Sequence, residues 1–436
     1  MEKNKKRKFL TSLVIFSLIG QVAWVVENMY FNVFIYKMFN ASPDDISAMV
    51  MASAVSATVT TLLIGALSDK VGRRKIFICL GYILWGVSIL SFALIRKDII
   101  GALLPTVTSV SAICITLVII MDCVMTFFGS SANDACFNAW LTDSTNSQNR
   151  GSAEGINSMM PLMAILVVFG GFMGFGELDE PWKWTTIFII IGAIVVLIGI
   201  GGFFIIDEPK IESEGNNSYF KNIFYGFRPS VIKQNKMLYI YLICFAIFGI
   251  SIQIFMPYLI IYYEQSLKMS NYVIIMAPAI ILAGVFTFFW GKIYDRIGFN
   301  KSVVPSLALL ALGYIILIAF TNTAMVFIGS LLMMCGYLSG MAVFGAIIRD
   351  KTPENKSGMF QGLRIVGQVL IPGLIGPYIG KLVLKDAEII TNNDGTKSFL
   401  PNQSIFVASL VALAVLSVAI LCIILANRKE KANEQK

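Results

Sequence analysis

The stretch Gly65-Ala66-Leu67-Ser68-Asp69-Lys70-Val71-Gly72-Arg73-Arg74-Lys75 decides the fold class, because it returns 226 residues later as Gly291-Lys292-Ile293-Tyr294-Asp295-Arg296-Ile297-Gly298-Phe299-Asn300-Lys301. Each copy follows one apolar run and precedes another. Gly65 permits close backbone approach at a helix end, and Gly72 permits a left-handed turn. Asp69 is placed to accept hydrogen bonds from a neighbouring helix N-terminus or an Arg, which makes a latch that closes in one conformation. Taken without its copy, the same segment is a basic loop that sets topology.

Outward from this motif, the chain is 57% apolar and 14% charged over 436 residues, too apolar for a soluble enzyme of that length. About 20 apolar residues cross the hydrocarbon core, and helices satisfy their own backbone there. Twelve spans are predicted: 10–36, 46–68, 76–95, 115–141, 155–175, 185–206, 238–263, 271–290, 302–320, 324–348, 360–383 and 403–426. The first is expected to be retained as a helix and not cleaved as a signal peptide, since it is long and lacks a small-residue cleavage site. Placing both termini in the cytoplasm puts 25 of the 34 Lys and Arg on that side, eight outside and Arg364 within a helix. The net charge of +8 therefore reads as topology and calls for no nucleic acid. A multi-pass plasma-membrane protein is expected.

A second repeat supports duplication. Gly129–Gly155 overlays Gly336–Gly362 at a constant shift of 207, with eight of 27 positions identical, among them Asp143 with Asp350 and Gly151 with Gly358. The 19-residue difference between the two shifts marks an insertion in the first half, placed near Arg96–Cys114. The fold class is thus all-α membrane, twelve transmembrane helices in two six-helix repeated halves. Residues 1–206 form the first half, 207–237 a cytoplasmic linker, and 238–436 the second half with a short tail. Within the linker, Tyr219, Phe220, Ile223, Phe224 and Phe227 recur at helical spacing and suggest a short interfacial helix.

The loop at Gly65–Lys75 resembles the signature loop of the major facilitator superfamily, and Gly291, Asp295, Arg296 and Gly298 resemble its second copy. Asp143 with Arg150-Gly151 is similar to that superfamily's loop after span four, and Asp350-Lys351-Thr352-Pro353 with Gly358 to the matching loop of the second half. The resemblance implies that spans one, four, seven and ten line a central cavity and that the halves rock to alternate access. It implies further that Gly65, Asp69, Lys70, Gly72, Arg73, Asp143, Arg150, Asp295 and Arg296 serve cytoplasmic gating and not solute binding. Phe299 and Asn300 depart from the pattern, so a weaker network is expected in the second half. Residues 227–242 and 360–380 more loosely resemble the glycoside-pentoside-hexuronide cation symporter group. That group's first-helix Tyr-Gly followed by Asp is absent here, and span two lacks the acid of sodium-coupled members.

Ionisable groups inside a bilayer are costly and mark function. Glu27 falls near the midplane of span one, with Asn28 beside it, and the 226 shift sets it opposite Gln253 of span seven. A carboxylate facing its neutral isostere suits proton or cation coupling, against the alternative of a structural hydrogen bond. Asn133, Asp134 and Asn138 on span four match Gly340, Met341 and Gly345, so this polar cluster is peculiar to the first half. Asp122 is expected at the outer interface, in water. Arg364 on span eleven either balances a buried carboxylate or snorkels to the inner interface, with Gln368 a turn deeper. Trp24, Tyr30, Trp140 and Tyr258 offer sugar-stacking faces or plain packing. Gly373, Gly376, Pro377 and Gly380 suggest a kinked, closely packed hinge.

With no His and no clustered Cys, an enzyme, a metal site or a cofactor is not indicated. The reading is a symporter that moves a small polar solute, a sugar or glycoside first, with a proton or a sodium ion, the proton favoured. Efflux of amphipathic compounds is the alternative, although span five has Gly170-Gly171 and Pro161 without the Gly-Pro pair of efflux antiporters. A transporter-like membrane sensor is a third reading, weakened by the lack of an output region.

Overall fold

The computed structural model describes residues 2–145, 150–208, 225–269, 271–353, 363–392 and 395–434. Among these, eleven helices are long and apolar enough to cross a membrane. They are Lys6–Phe39, Pro43–Gly65, Arg74–Phe92, Val110–Asp143, Pro181–Ile205, Lys236–Ser266, Tyr272–Ile297, Phe299–Ala319, Thr323–Lys351, Leu363–Val383 and Ser404–Ala426. Arg150–Met173, apolar from Met159, stands fifth in order and completes the twelve spans.

Local chemistry sets the helix ends. Ser42 and Asp45 form a reciprocal capping box at the start of span two, with Pro43 in its first turn, and that helix stops at Gly72 in the left-handed region, φ +69°. Asn322 accepts from the Met325 backbone N–H and caps span ten. Leu197 and Phe204 of span six, 65% and 75% exposed, show the outward apolar surface of a helix whose solvent is lipid.

The chain divides into two units, Met1–Ile223 with Ile390–Ser398, and Phe224–Ile389 with Phe399–Lys436. Inside the first, span three packs on span six, span one on spans five and six, and span four on spans two and three. Inside the second, the same pattern returns six spans later: nine on twelve, seven on eleven and twelve, ten on eight and nine. Duplication is therefore visible in the packing as well as in the motifs. A hairpin of β1 (Ile389–Thr391) and β2 (Lys397–Phe399) joins spans eleven and twelve.

Two expectations change. The insertion is a short helix, Lys97–Leu103, with the turn after it, and span four begins at Val110, earlier than the predicted 115. Of the proposed interfacial helix, Tyr219, Phe220, Ile223 and Phe224 lie outside the described residues, while Phe227 closes a single 3-10 turn, Tyr225–Phe227. The close packing expected of the span-eleven glycines is present within Ile371–Val383: a Cβ at Gly376 would stand 2.4 Å from the Gln253 Cβ of span seven.

Candidate coupling and solute site

Among the described residues, four spans depart from α geometry by a π turn, and each turn holds or adjoins a polar group. They are Val26–Tyr30 with Glu27, Ser130–Phe137 with Asn133 and Asp134, Tyr262–Ser266 with Glu264, and Val366–Leu370 with Gln368. Such turns free backbone groups and re-aim side chains, and they recur at functional sites.

Glu27 is 6% exposed, inside the first unit. Its Oε1 accepts from Ser53 Oγ of span two and Thr126 Oγ1 of span four, both at 2.9 Å, and those two hydroxyls are 2.8 Å apart. Its Oε2 is buried and has no hydrogen-bond partner. Asp122, 2% exposed, lies against the same Ser53, and its Oδ1 also lacks a partner. The expectation of an interfacial, hydrated Asp122 is thus corrected. Because span four starts at Val110, Asp122 lies twelve residues in, about 18 Å from that end.

About three turns further along span four, Asp134 Oδ2 accepts from Ser130 Oγ at 3.0 Å, and its Oδ1 accepts from Asn133 Nδ2 at 3.3 Å. Asn133 Oδ1 in turn accepts from the Tyr82 hydroxyl at 3.0 Å. The Trp24 indole stands beside Asp134, with its N–H buried. Asp122, Thr126, Ser130, Asp134 and Asn138 follow at four-residue steps. In an α-helix each such step overshoots a full turn by about 40°, so the ridge would spiral away. The wider π turns over Ser130–Phe137 oppose that drift and hold the polar groups on one side.

Among its described residues, the second unit has no copy of this cluster. Span ten runs as plain α-helix from Thr323 to Lys351, and Gly340, opposite Asn133 in the repeat, receives the Phe248 ring, whose Cζ would lie 2.5 Å from a Cβ there. Phe245, Phe248 and Phe299 pack on Phe344, the repeat partner of Phe137. Gln253 is half-buried against Gly376. Arg364 donates through Nε to Gln368 Oε1 one turn on, at 3.3 Å. Asn28 and Asn138 are exposed, and each amide donates to the carbonyl four residues earlier, of Trp24 and Asp134. Of the four aromatics, three are packing residues. Tyr30 lies on Phe169 and Phe172, Trp140 on Phe9 and Phe137 with its N–H on the Asp207 carbonyl, and Tyr258 against Gly380. Trp24 alone stands at the polar cluster.

At the end of the first unit that holds the N-terminus, the signature loop closes on span four through Arg74. Its Nε donates to Asp143 Oδ2 at 3.1 Å and one Nη to Ser68 Oγ at 2.5 Å. Arg73, which the superfamily resemblance implicates, is exposed, as is Lys70. The side chains of Asp69 and Arg150 lie outside the described residues. In the second unit Asn300 replaces this arginine, and Tyr294, at the position of Ser68, donates its hydroxyl directly to Asp350 at 2.8 Å. Asp295 and Arg296 are exposed. Arg74 is only 6% exposed at its side chain and Asp143 29%, so losing the acid strands a buried cation. Asp143→Ala is expected to cost about 3 kcal/mol or more in stability, and Arg74→Met/Asp143→Ala to recover part of it, measured by thermal unfolding in detergent.

A cavity of about 220 Å³ opens at the other end, lined by Phe34, Phe92, Trp184 and Phe188 with Arg96 and Asp98 at its mouth. Hydrogen bonds from Arg96 hold the Asp98 carboxyl below its usual range. It contains none of the buried carboxylates, and the polar cluster is the better candidate for transport chemistry.

Two six-helix units with matching internal packing, and ionisable groups buried in the spans of one of them, define the architecture of a polytopic transporter. Residues 10–377 and 272–436 match the family model of the Major Facilitator Superfamily, and the chain belongs to that superfamily. No curated protein sequence matches it. Among solved structures it is similar to a point variant of the nucleoside transporter NupG, with TM-score 0.71 and 14% identity over 94% of this chain and 98% of that one. It is also similar to a bacterial homologue of the human lysosomal transporter Spinster, with TM-score 0.66 and 16% identity over 96% and 97%. At these identities the likeness is one of fold.

Proposed function

We propose that this transporter is a proton-coupled symporter for a small polar solute carrying a sugar ring, with both termini in the cytoplasm of the cell whose plasma membrane it spans. The observation that carries the reading is Glu27: a carboxyl in a π turn, enclosed by two hydroxyl donors, with one oxygen left free for a proton. Trp24, Asn133, Asp134 and Tyr82 beside it supply the donors, acceptors and ring face that a sugar needs. A nucleoside is itself a glycoside, which brings the solute named for NupG into the same chemical class. Arg74 and Asp143 serve the cytoplasmic gate as the halves alternate access.

The test is uptake of labelled nucleosides, monosaccharides and disaccharides into proteoliposomes under an imposed proton or sodium gradient. Accumulation of one class under the proton gradient is the expected result. Accumulation under sodium alone overturns proton coupling. If correctly inserted protein takes up no solute of the panel, the sugar assignment is wrong, and efflux of amphipathic compounds becomes the leading reading.

A further inference from the structure

We propose that Glu27 and Asp122 form one proton-binding unit, the two carboxyls holding a single proton between them so that one is an acid while the other is a carboxylate. For its role in transport the proposal rests on the coupling reading above, but the pairing itself does not.

The two side chains come from different helices, spans one and four, and converge on Ser53 of span two. Both are buried, at 6% and 2% exposure. Glu27 Oε1 already accepts two hydroxyl hydrogens. Glu27 Oε2 and Asp122 Oδ1 are left, buried and unpartnered. Among the described residues no Lys or Arg forms an ion pair or hydrogen bond with either carboxyl. Two bare carboxylates enclosed together repel each other strongly, and one added proton both halves the charge and supplies the missing donor. Asp122 is the strongest electrostatic neighbour of Glu27, ahead of Asp134.

The groups that face the pair are few. Ser53 approaches from span two, and Thr126 and the Cys123 thiol from span four. Asp134 lies further along span four, where Ser130 and Asn133 already donate to both of its oxygens. It therefore stands outside the unit. Protonation changes the pair from two negative charges to one, and the hydrogen donated by one carboxyl is accepted by the other. Loss of that hydrogen restores the repulsion between spans one and four, both of which the superfamily resemblance places at the cavity.

The experiment is an infrared pH titration of the reconstituted protein, reading the absorption of protonated carboxyl groups in wild type, Glu27→Gln, Asp122→Asn and the double variant. The wild type is expected to show a protonated band that the double variant lacks. In each single variant the remaining carboxyl is expected to titrate about one pH unit or more away from the pair, the separation that marks interacting sites. Asp122→Glu, which keeps the charge, is expected to restore a shared titration and guards against a folding defect. The proposal is overturned if Asp122→Asn leaves the Glu27 titration where it is in wild type, or if sodium at constant pH removes the band. Proton-driven uptake can fail while the titrations remain linked; that outcome rejects coupling and keeps the pair.

Discussion

Replacing Glu27 by Gln is expected to abolish accumulation driven by a proton gradient while leaving exchange of solute across the membrane in place. The amide oxygen can still accept from Ser53 and Thr126, so the packing around the π turn is kept, but the side chain can no longer gain or lose a proton. A symporter deprived of its coupling group still binds and reorients with solute, and only the linkage between the two gradients is lost. Accumulation is expected to fall by about tenfold or more, to the level of equilibration, with counterflow within about threefold of wild type. Span seven supplies a precedent: Gln253 occupies the register that Glu27 holds in the first half, and its helix is intact. Accumulation undiminished in Glu27→Gln would falsify the coupling role. Loss of counterflow with an unchanged melting temperature would move Glu27 to the solute site.

The largest effect on stability is expected at Gly336. A Cβ there would lie 2.3 Å from the backbone nitrogen of Leu310, and one at Gly313 would lie 2.4 Å from that of Met333. Spans nine and ten therefore meet backbone to backbone, and this is the most extensive helix contact of the second unit. Membrane helices gain little from excluding water from one another, so close van der Waals packing carries the association. Gly336→Val forces the pair apart and is expected to cost about 3 kcal/mol or more, seen as lost monodisperse protein and a lower melting temperature. Gly345→Val, on the same helix but facing open space, is expected to behave as wild type. Equal stability of the two variants would show that the interface yields.

Much of the site was legible in the chain because charge inside an apolar run is conspicuous. Glu27, Asn133 and Asp134 were found that way, and the structure brings them to one side of one unit. Asp122 was equally visible and was misplaced, since its depth depends on where span four begins, and that start is set by a single N-cap serine, Ser109, whose side chain accepts from the Ala112 backbone N–H. Ser53 and Thr126 were invisible for another reason. Small hydroxyl residues are common in membrane helices, and only the approach of spans one, two and four turns these two into donors for Glu27. Arg74 was passed over in favour of its neighbour because adjacent arginines are equivalent on paper. One faces span four and the other faces water, a difference decided by the left-handed turn at Gly72.

By itself, the sequence determined the solvent, the number of spans and the duplication. Each follows from local composition and spacing: a helix in lipid must be long and apolar, and a repeat shows as a constant shift. The tertiary structure decided which polar groups are partners. Asp143 meets Arg74 while its counterpart Asp350 meets Tyr294, and Asp122 meets the surroundings of Glu27 across 95 residues of chain. Those pairings depend on helix rotation and depth, which π turns and packed glycines adjust by fractions of a turn, and no local property of the chain encodes them.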